Sequence, residues 1–191
     1  MQTKTRKVII AAALAGVSYL LMYASFPIIP GFSWMKIDFS DVPVLLGLLI
    51  LGFGDGIWIA VIRSLLYFVL AGPSIDRLIG VGSAFLATLA FTIPLYLFLH
   101  KREASMKNFL LGGLTTVVSL TIIMSLANWL FITPAYMAVL GLKLPFSLGR
   151  YVMTVVAPFN IIKGVIVSLV FELIYVNLRN WIQNKQAELN H

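Results

Sequence analysis

The sequence contains no cysteine and few charged residues, and both deficits narrow what the protein can be. Without cysteine the chain has no disulfide, no thiolate metal ligand and no cysteine nucleophile. Charged residues make up only 11% of the 191 residues, whereas 60% are hydrophobic. Soluble domains carry about a quarter charged residues. The composition therefore predicts an all-α integral membrane protein.

Residues that carry enzyme chemistry are also scarce. The two histidines, His100 and His191, both lie outside the apolar segments, at ends that the topology below places in the cytoplasm. No carboxylate pair or histidine cluster occurs within an apolar segment, which disfavours metal-dependent hydrolysis and most proton relays. The Gly-rich phosphate loop that ends in Lys and Ser or Thr is missing, so ATP hydrolysis by that route is excluded. We expect no catalytic residue, no metal site and no enzyme activity.

Six apolar segments predict six transmembrane helices in a single membrane domain that covers residues 1–191. A hydrocarbon core of about 30 Å takes about 20 helical residues, so the second and third segments are short for spans. The N-terminal run has no convincing cleavage site, and we interpret it as a retained first span. A tight turn is predicted at 52–56, between the short spans. The predicted spans are 8–26, 42–53, 57–70, 77–99, 108–131 and 151–178.

The basic residues are distributed unevenly between the two sides of the predicted bundle. Six spans place both termini on one side, which then holds eight Lys and Arg residues against four on the other. Because basic loops stay in the cytoplasm, both termini are predicted to be cytoplasmic and residues 27–41 to form a long extracellular loop. The eight are Lys4, Arg6, Lys7, Lys101, Arg102, Lys107, Arg179 and Lys185, and the four are Lys36, Arg77, Lys143 and Arg150.

Three polar residues, Asn128, Asn160 and Lys163, lie deep in the last two predicted spans. A lysine at this depth costs about 2.5 to 3.5 kcal/mol, so it has to face protein or a wet cavity. Pro158 has no N–H for the helical bond to Thr154 and weakens the helix nearby. At about 1.5 Å per residue, all three polar residues lie in the outer half of the bilayer. They predict a pocket open to the outside; a plain interhelical contact or a snorkelling lysine is the alternative.

Two opposite charges lie deeper in other spans. Arg63 and Glu172 are each about 10 Å from the cytoplasmic end of their predicted helix. This common depth predicts a buried structural ion pair between them. The alternative is that each side chain snorkels to the headgroups.

Small residues recur four apart in the first predicted span. Ala11 with Ala15, and Ala12 with Gly16, form two such pairs on adjoining helix faces. Small residues let another helix approach closely, which is how membrane helices associate. The pairs indicate a docking surface for a partner helix, although alanine is also simply common in membrane helices.

Three motifs occur together and in order along nearly the whole chain. They are the run from Lys36 to Gly47, the tetrapeptide Phe131-Ile132-Thr133-Pro134, and the run from Pro158 to Gly164. With the Gly-rich turn that follows the first, they resemble the riboflavin-specific S-component of energy-coupling factor (ECF) vitamin transporters. The resemblance implies a cell-membrane subunit that captures riboflavin with high affinity from outside. It also implies a transmembrane scaffold and two cytoplasmic ATPases as partners, with ATP used only by those partners and no cofactor in this chain.

The resemblance also assigns roles to individual residues. By motif, substrate contacts are expected at Asn128, Asn160 and Lys163, with Phe39 and Asp41 in a loop that covers the pocket. Scaffold docking is expected at Ala11 and Ala15.

A second function class stays open at this point, namely a self-sufficient secondary transporter or channel for a small organic solute. Such a carrier usually shows paired internal repeats and a coupling-ion site at the membrane midplane. Neither is visible in the sequence. The binding-subunit interpretation is therefore favoured.

Overall fold

The computed structural model describes residues 2–99 and 106–190, and within these ranges the chain is almost entirely helical. The predicted basic loop at 101–107 lies largely outside the described residues. The elements in chain order are α1 (Gln2–Tyr23), β1 (Phe26–Pro27), β2 (Lys36–Ile37), α2 (Asp41–Leu51), α3 (Phe53–Leu70), α4 (Ile75–Leu99), α5 (Met106–Ala127), a π-helical turn (Asn128–Ile132), α6 (Thr133–Leu140), α7 (Leu148–Tyr151), a second π-helical turn (Val152–Val156) and α8 (Ala157–Asn190).

Five helical stretches in the described ranges are long and apolar enough to cross a membrane. The last two are longer than the predicted spans, because the helix continues through Pro134 into α6 and runs well beyond residue 178. A sixth helix, α2, is apolar but has only 11 residues. The five stretches are Lys4–Tyr23, Phe53–Leu70, Ile75–Leu99, Lys107–Leu140 and Leu148–Leu189.

Helix α2 can be shorter than a full membrane span because other helices of the protein surround it. It packs against α1, α3, α4 and α8, and all but one of its residues are buried. A helix that is apolar all round belongs in an interior. Polar termini at membrane depth are tolerated where they are buried in protein, so the helix need not span the full hydrocarbon core.

The turn between α2 and α3 is tighter than predicted. Only Gly52, at φ 99°, lies outside the helices, and α3 already begins at Phe53. The predicted turn at 52–56 is therefore wrong, because residues 53–56 already belong to α3 and Gly56 serves helix packing. A Cβ on Gly56 would lie 2.6 Å from the Cα of Leu48, so this glycine allows α3 to approach the α2 backbone.

Replacing Gly56 should therefore damage the hairpin. We expect Gly56→Ala to destabilise the protein by about 1 to 3 kcal/mol, because the backbone of α2 has to move. Gly54→Ala is the matched control, since none of the described residues lies within 4 Å of its added Cβ and alanine favours the helix. Thermal unfolding in detergent measures both. Equal melting temperatures for the two variants would contradict the close approach.

The first long loop contains a small antiparallel ladder, where the sequence indicated no secondary structure. Phe26 pairs with Ile37 and Pro27 with Lys36. Further along, the indole N–H of Trp34 donates to the Tyr151 hydroxyl at 3.0 Å. The loop is therefore tied to the start of the last helical stretch.

Both π-helical turns end two residues before a proline. The first covers Asn128–Ile132 before Pro134, and the second covers Val152–Val156 before Pro158. Proline has no N–H for the helical hydrogen bond and its ring clashes with the preceding turn, so the helix widens there. Such turns are frequent at functional sites. Here one begins at Asn128 and the other ends four residues before Asn160.

Candidate functional site

A cavity of about 400 Å³ lies between the first loop and the α4, α5–α6 and α7–α8 stretches. Its size falls in the range of small-molecule sites, about 300 to 1,000 Å³. Asn128, Asn160 and Lys163 all line it, so the structure brings the three polar residues of the sequence analysis together. Their role in binding a substrate stays a prediction.

The two asparagine side chains are held by their own helices. Asn128 donates to the Met124 carbonyl at 2.9 Å and accepts from the Thr133 hydroxyl at 3.0 Å. Asn160 donates to the Val156 carbonyl at 2.8 Å. A carboxamide has two N–H groups and one oxygen acceptor, so hydrogen-bonding capacity remains on both residues. The two amides are therefore fixed in orientation and still able to bind a ligand.

The remaining walls are mostly apolar and differ in shape. Small residues spaced three and four apart form the α4 wall, which leaves it flat. They are Gly80, Ser83, Ala84 and Ala87. Aromatic side chains line other parts of the cavity, namely Trp34, Tyr136, Tyr151 and Phe159. A flat, largely apolar ring with a few polar edges would fit such walls.

Neither set of wall residues was predicted from the sequence. The spacing of the small residues on α4 was a usable signal, because 80, 83, 84 and 87 share one helix face. Trp34 and Tyr151 come together only through the folded loop, and no local pattern predicts their hydrogen bond.

Behind Lys163 lies a buried charge cluster. The Lys163 ammonium is 3.6 Å from Oδ2 of Asp41, and Arg63 donates to Oδ1 of Asp41 at 3.1 Å. Arg63 also donates to the hydroxyls of Ser40 and Thr88, at 2.8 Å and 2.6 Å. Thr88 in turn donates to Oδ1 of Asp41 at 2.6 Å. One carboxylate therefore lies between two cations.

The predicted ion pair between Arg63 and Glu172 is wrong, because Arg63 pairs with Asp41. Asp41 and Arg63 each lie eleven residues from Gly52, so the α2–α3 hairpin places them side by side. Glu172 lies at the α5–α8 contact, where its Oε1 would be 3.2 Å from a Cβ on Gly113. It is only half-buried, and no basic side chain in the described ranges forms an ion pair with it.

The two loop residues expected at the substrate do not line the cavity. The Phe39 ring packs against Phe26, with 6.5 Å between centroids, because the β1–β2 ladder brings these neighbouring segments together. Asp41 is the first residue of α2 and is screened from the cavity by Lys163. Direct contact of either residue with a substrate in this cavity is not supported.

The docking pair predicted on α1, Ala11 and Ala15, lies on the helix face that packs against the rest of the protein. Ala15 is fully buried and Ala11 is half-buried against the core, because this face of α1 packs on α2 and α3. The other small pair is more accessible. Ala12 is exposed, and in the part of the chain that the structure describes nothing lies within 4 Å of a Cβ on the half-buried Gly16. An outside partner can therefore reach Ala12 and Gly16 but not Ala15.

Comparison with known proteins places this architecture in a family. The family model described as ECF transporter, substrate-specific component, matches residues 6–175. This chain belongs to that family. Riboflavin transporter RibU of Streptococcus thermophilus is 36% identical to this S-component over 180 residues, which cover 93% of this chain and 85% of the relative. Riboflavin transporter FmnP of Bacillus subtilis is 32% identical over 191 residues, which cover 98% and 100%.

The fold is similar to that of a solved S component of a bacterial ECF transporter. The two superpose with a TM-score of 0.77 at 28% identity, over 94% of this chain and 98% of the other. The expected family is therefore confirmed, and with it a multi-pass membrane protein of the transport class instead of an enzyme.

Proposed function

We propose that this S-component binds riboflavin from outside the cell with high affinity and delivers it through an ATP-hydrolysing ECF module. The observation that carries the proposal is the cavity in which Asn128, Asn160 and Lys163 meet a flat wall on α4. The isoalloxazine ring of riboflavin is flat and largely apolar. Its carbonyls and ribityl hydroxyls match amide and ammonium groups. The names of the two relatives support the same ligand.

The proposed topology has six membrane helices in a single domain, with α2 as the short second helix. Both termini lie in the cytoplasm and the β1–β2 loop lies outside the plasma membrane, as the positive-inside rule favours. The cavity then opens towards the outside under the loop that Trp34 ties to Tyr151. The chain uses no cofactor of its own.

The proposed partners are a transmembrane scaffold subunit and two cytoplasmic ATPases, which use the ATP. The scaffold would dock on the outward face of α1 at Ala12 and Gly16, where the helix backbone is accessible. Close approach of helix backbones drives association in a membrane. Membership of the family supports such a module in general.

Purifying the chain alone and titrating riboflavin fluorescence tests the ligand. We expect this protein to quench riboflavin fluorescence saturably. Thiamine or biotin at comparable concentrations should not displace the bound riboflavin. Absence of riboflavin binding would overturn the proposal. Uptake by vesicles that contain no other subunit would instead favour a self-sufficient carrier.

Within this function, Lys163→Ala should weaken riboflavin binding about ten- to a hundred-fold. The lysine presents an ammonium in the cavity wall, and a hydrogen bond to a charged group is worth about 1.5 to 3 kcal/mol. Lys143→Ala is the control, since it removes the same charge from an exposed position outside the cavity. Unchanged affinity in a well-folded Lys163→Ala protein would remove this residue from the site.

A further inference from the structure

Asp41 is buried behind the cavity wall, between Lys163 on one side and Arg63 on the other. Its side chain is 2% exposed, and of these three residues only Lys163 lines the cavity. A carboxylate in this position does not reach a ligand directly. The cavity-lining side chain that forms an ion pair with Asp41 is Lys163.

The two oxygens of Asp41 are bound unequally. Oδ1 accepts from Arg63 at 3.1 Å and from Thr88 at 2.6 Å, so α3 and α4 hold it. Oδ2 accepts no hydrogen bond from the described part of the chain, and the Lys163 ammonium lies 3.6 Å from it. The contact with the lysine is therefore an ion pair without a hydrogen bond.

The 3.6 Å between the Lys163 ammonium and Asp41 leaves the lysine N–H groups free to bind a ligand. A lysine carries three N–H donors, and Lys163 donates none of them to a protein acceptor within hydrogen-bond distance in the described ranges. An ammonium that is buried this far without a counter-ion would be costly, so the nearby carboxylate stabilises the charge. If Arg63 and Thr88 released Asp41, the carboxylate would move onto the lysine and occupy its donors.

We propose that Asp41, clamped by Arg63 and Thr88, is a positioning residue that stabilises the charged Lys163 in the cavity wall while leaving its N–H groups for the substrate. The inference rests on the proposed function. It specifies that the lysine binds acceptor oxygens or ring nitrogens of the ligand through N–H groups that Asp41 leaves unused.

A double-mutant cycle on riboflavin affinity tests this role. Asp41→Asn and Lys163→Met should each weaken binding about ten- to a hundred-fold. The combined variant should bind within about two-fold of Lys163→Met alone, because Asp41 acts only through the lysine. Thermal unfolding without ligand, recorded in parallel, separates loss of binding from loss of fold.

A milder cycle covers the case in which Asp41→Asn does not fold. Thr88→Val removes one hydrogen bond to Asp41 but keeps every charge, and Thr88→Ser keeps the hydroxyl. Thr88→Val should weaken binding about two- to ten-fold, and Thr88→Ser should restore it. In the Lys163→Met background neither change should alter affinity.

The outcomes distinguish this inference from the proposed function. Equal losses of affinity in the wild-type and Lys163→Met backgrounds would show that the Asp41 cluster acts on the fold alone, and would overturn the inference. A wild-type protein that does not bind riboflavin would overturn the proposed function, and the inference would fall with it.

Discussion

Enlarging the outward face of α1 is expected to abolish riboflavin uptake without affecting riboflavin binding. In Ala12→Leu with Gly16→Leu, two large side chains cover a surface where a partner helix could otherwise approach the backbone. In the described ranges nothing lies within 4 Å of a Cβ on Gly16, and neither residue is among those that line the cavity. The purified double variant should therefore bind riboflavin within about two-fold of wild type.

The measurements are uptake by cells that supply the partner subunits, co-purification of those subunits, and binding by the isolated chain. Gly82→Leu on α4 is the matched control, because this exposed glycine also has open space around its Cβ. The control should transport normally. A double variant that still transports would exclude this face as the docking site, and loss of transport in Gly82→Leu would show that added surface bulk alone is harmful.

Removing the shared carboxylate of the buried cluster is expected to have the largest effect on stability. Asp41→Asn leaves Arg63, whose side chain is 1% exposed, without a counter-ion, and breaking a buried pair in this way costs about 3 to 5 kcal/mol. Arg63→Met should cost less, because Asp41 keeps Lys163 as a partner. Glu172→Leu should cost little or nothing, since that carboxylate has no ionic partner in the described ranges and is half-buried.

Thermal unfolding of the three single variants in one detergent gives this order directly. Asp41→Asn combined with Arg63→Met removes both buried charges of one pair and should recover part of the loss. Recovery stays partial because Lys163 also loses its partner. If Asp41→Asn destabilised the protein no more than Glu172→Leu, the assignment of Asp41 as the partner of Arg63 would be contradicted.

Polar residues in apolar helices were the part of the site that the sequence could predict. Asn128, Asn160 and Lys163 are conspicuous because each is costly at membrane depth unless protein or water surrounds it. The α4 wall carries no such penalty, since glycine, alanine and serine are ordinary in membrane helices. Its residues were missed for that reason, although they line the same cavity.

The wrong partner was predicted for Arg63 because the start of the third helix was placed four residues too late. With the third span beginning at 57, Arg63 appeared about 10 Å deep, level with Glu172. Helix α3 begins at Phe53, which adds about 6 Å and brings Arg63 level with the first residue of α2. The glycines after Gly52 suggested a turn, but Gly56 instead allows two helices to pack closely. A glycine in a turn and a glycine at a helix contact look the same in sequence, and only the fold distinguishes them.

The face of α1 could not be chosen from spacing. The Ala11–Ala15 and Ala12–Gly16 pairs are one residue apart, or about 100° around the helix, and have the same small-residue pattern. Which pair faces inward depends on how α1 packs against α2 and α3. Ser18 gives a further sign in the structure, since its buried hydroxyl donates to the Ser40 carbonyl on the same side as Ala15.

The pairing of Asp41 with Arg63 across Gly52 also bears on how the chain enters the bilayer during synthesis. Helix α2 alone would carry a carboxylate into hydrocarbon on only 11 residues, too few to stop in the membrane as an independent span. Once α3 has followed, the same hairpin carries the compensating guanidinium. The favourable unit for the insertion machinery is therefore the complete α2–α3 hairpin, with its internal charge already neutralised before Lys163 is made.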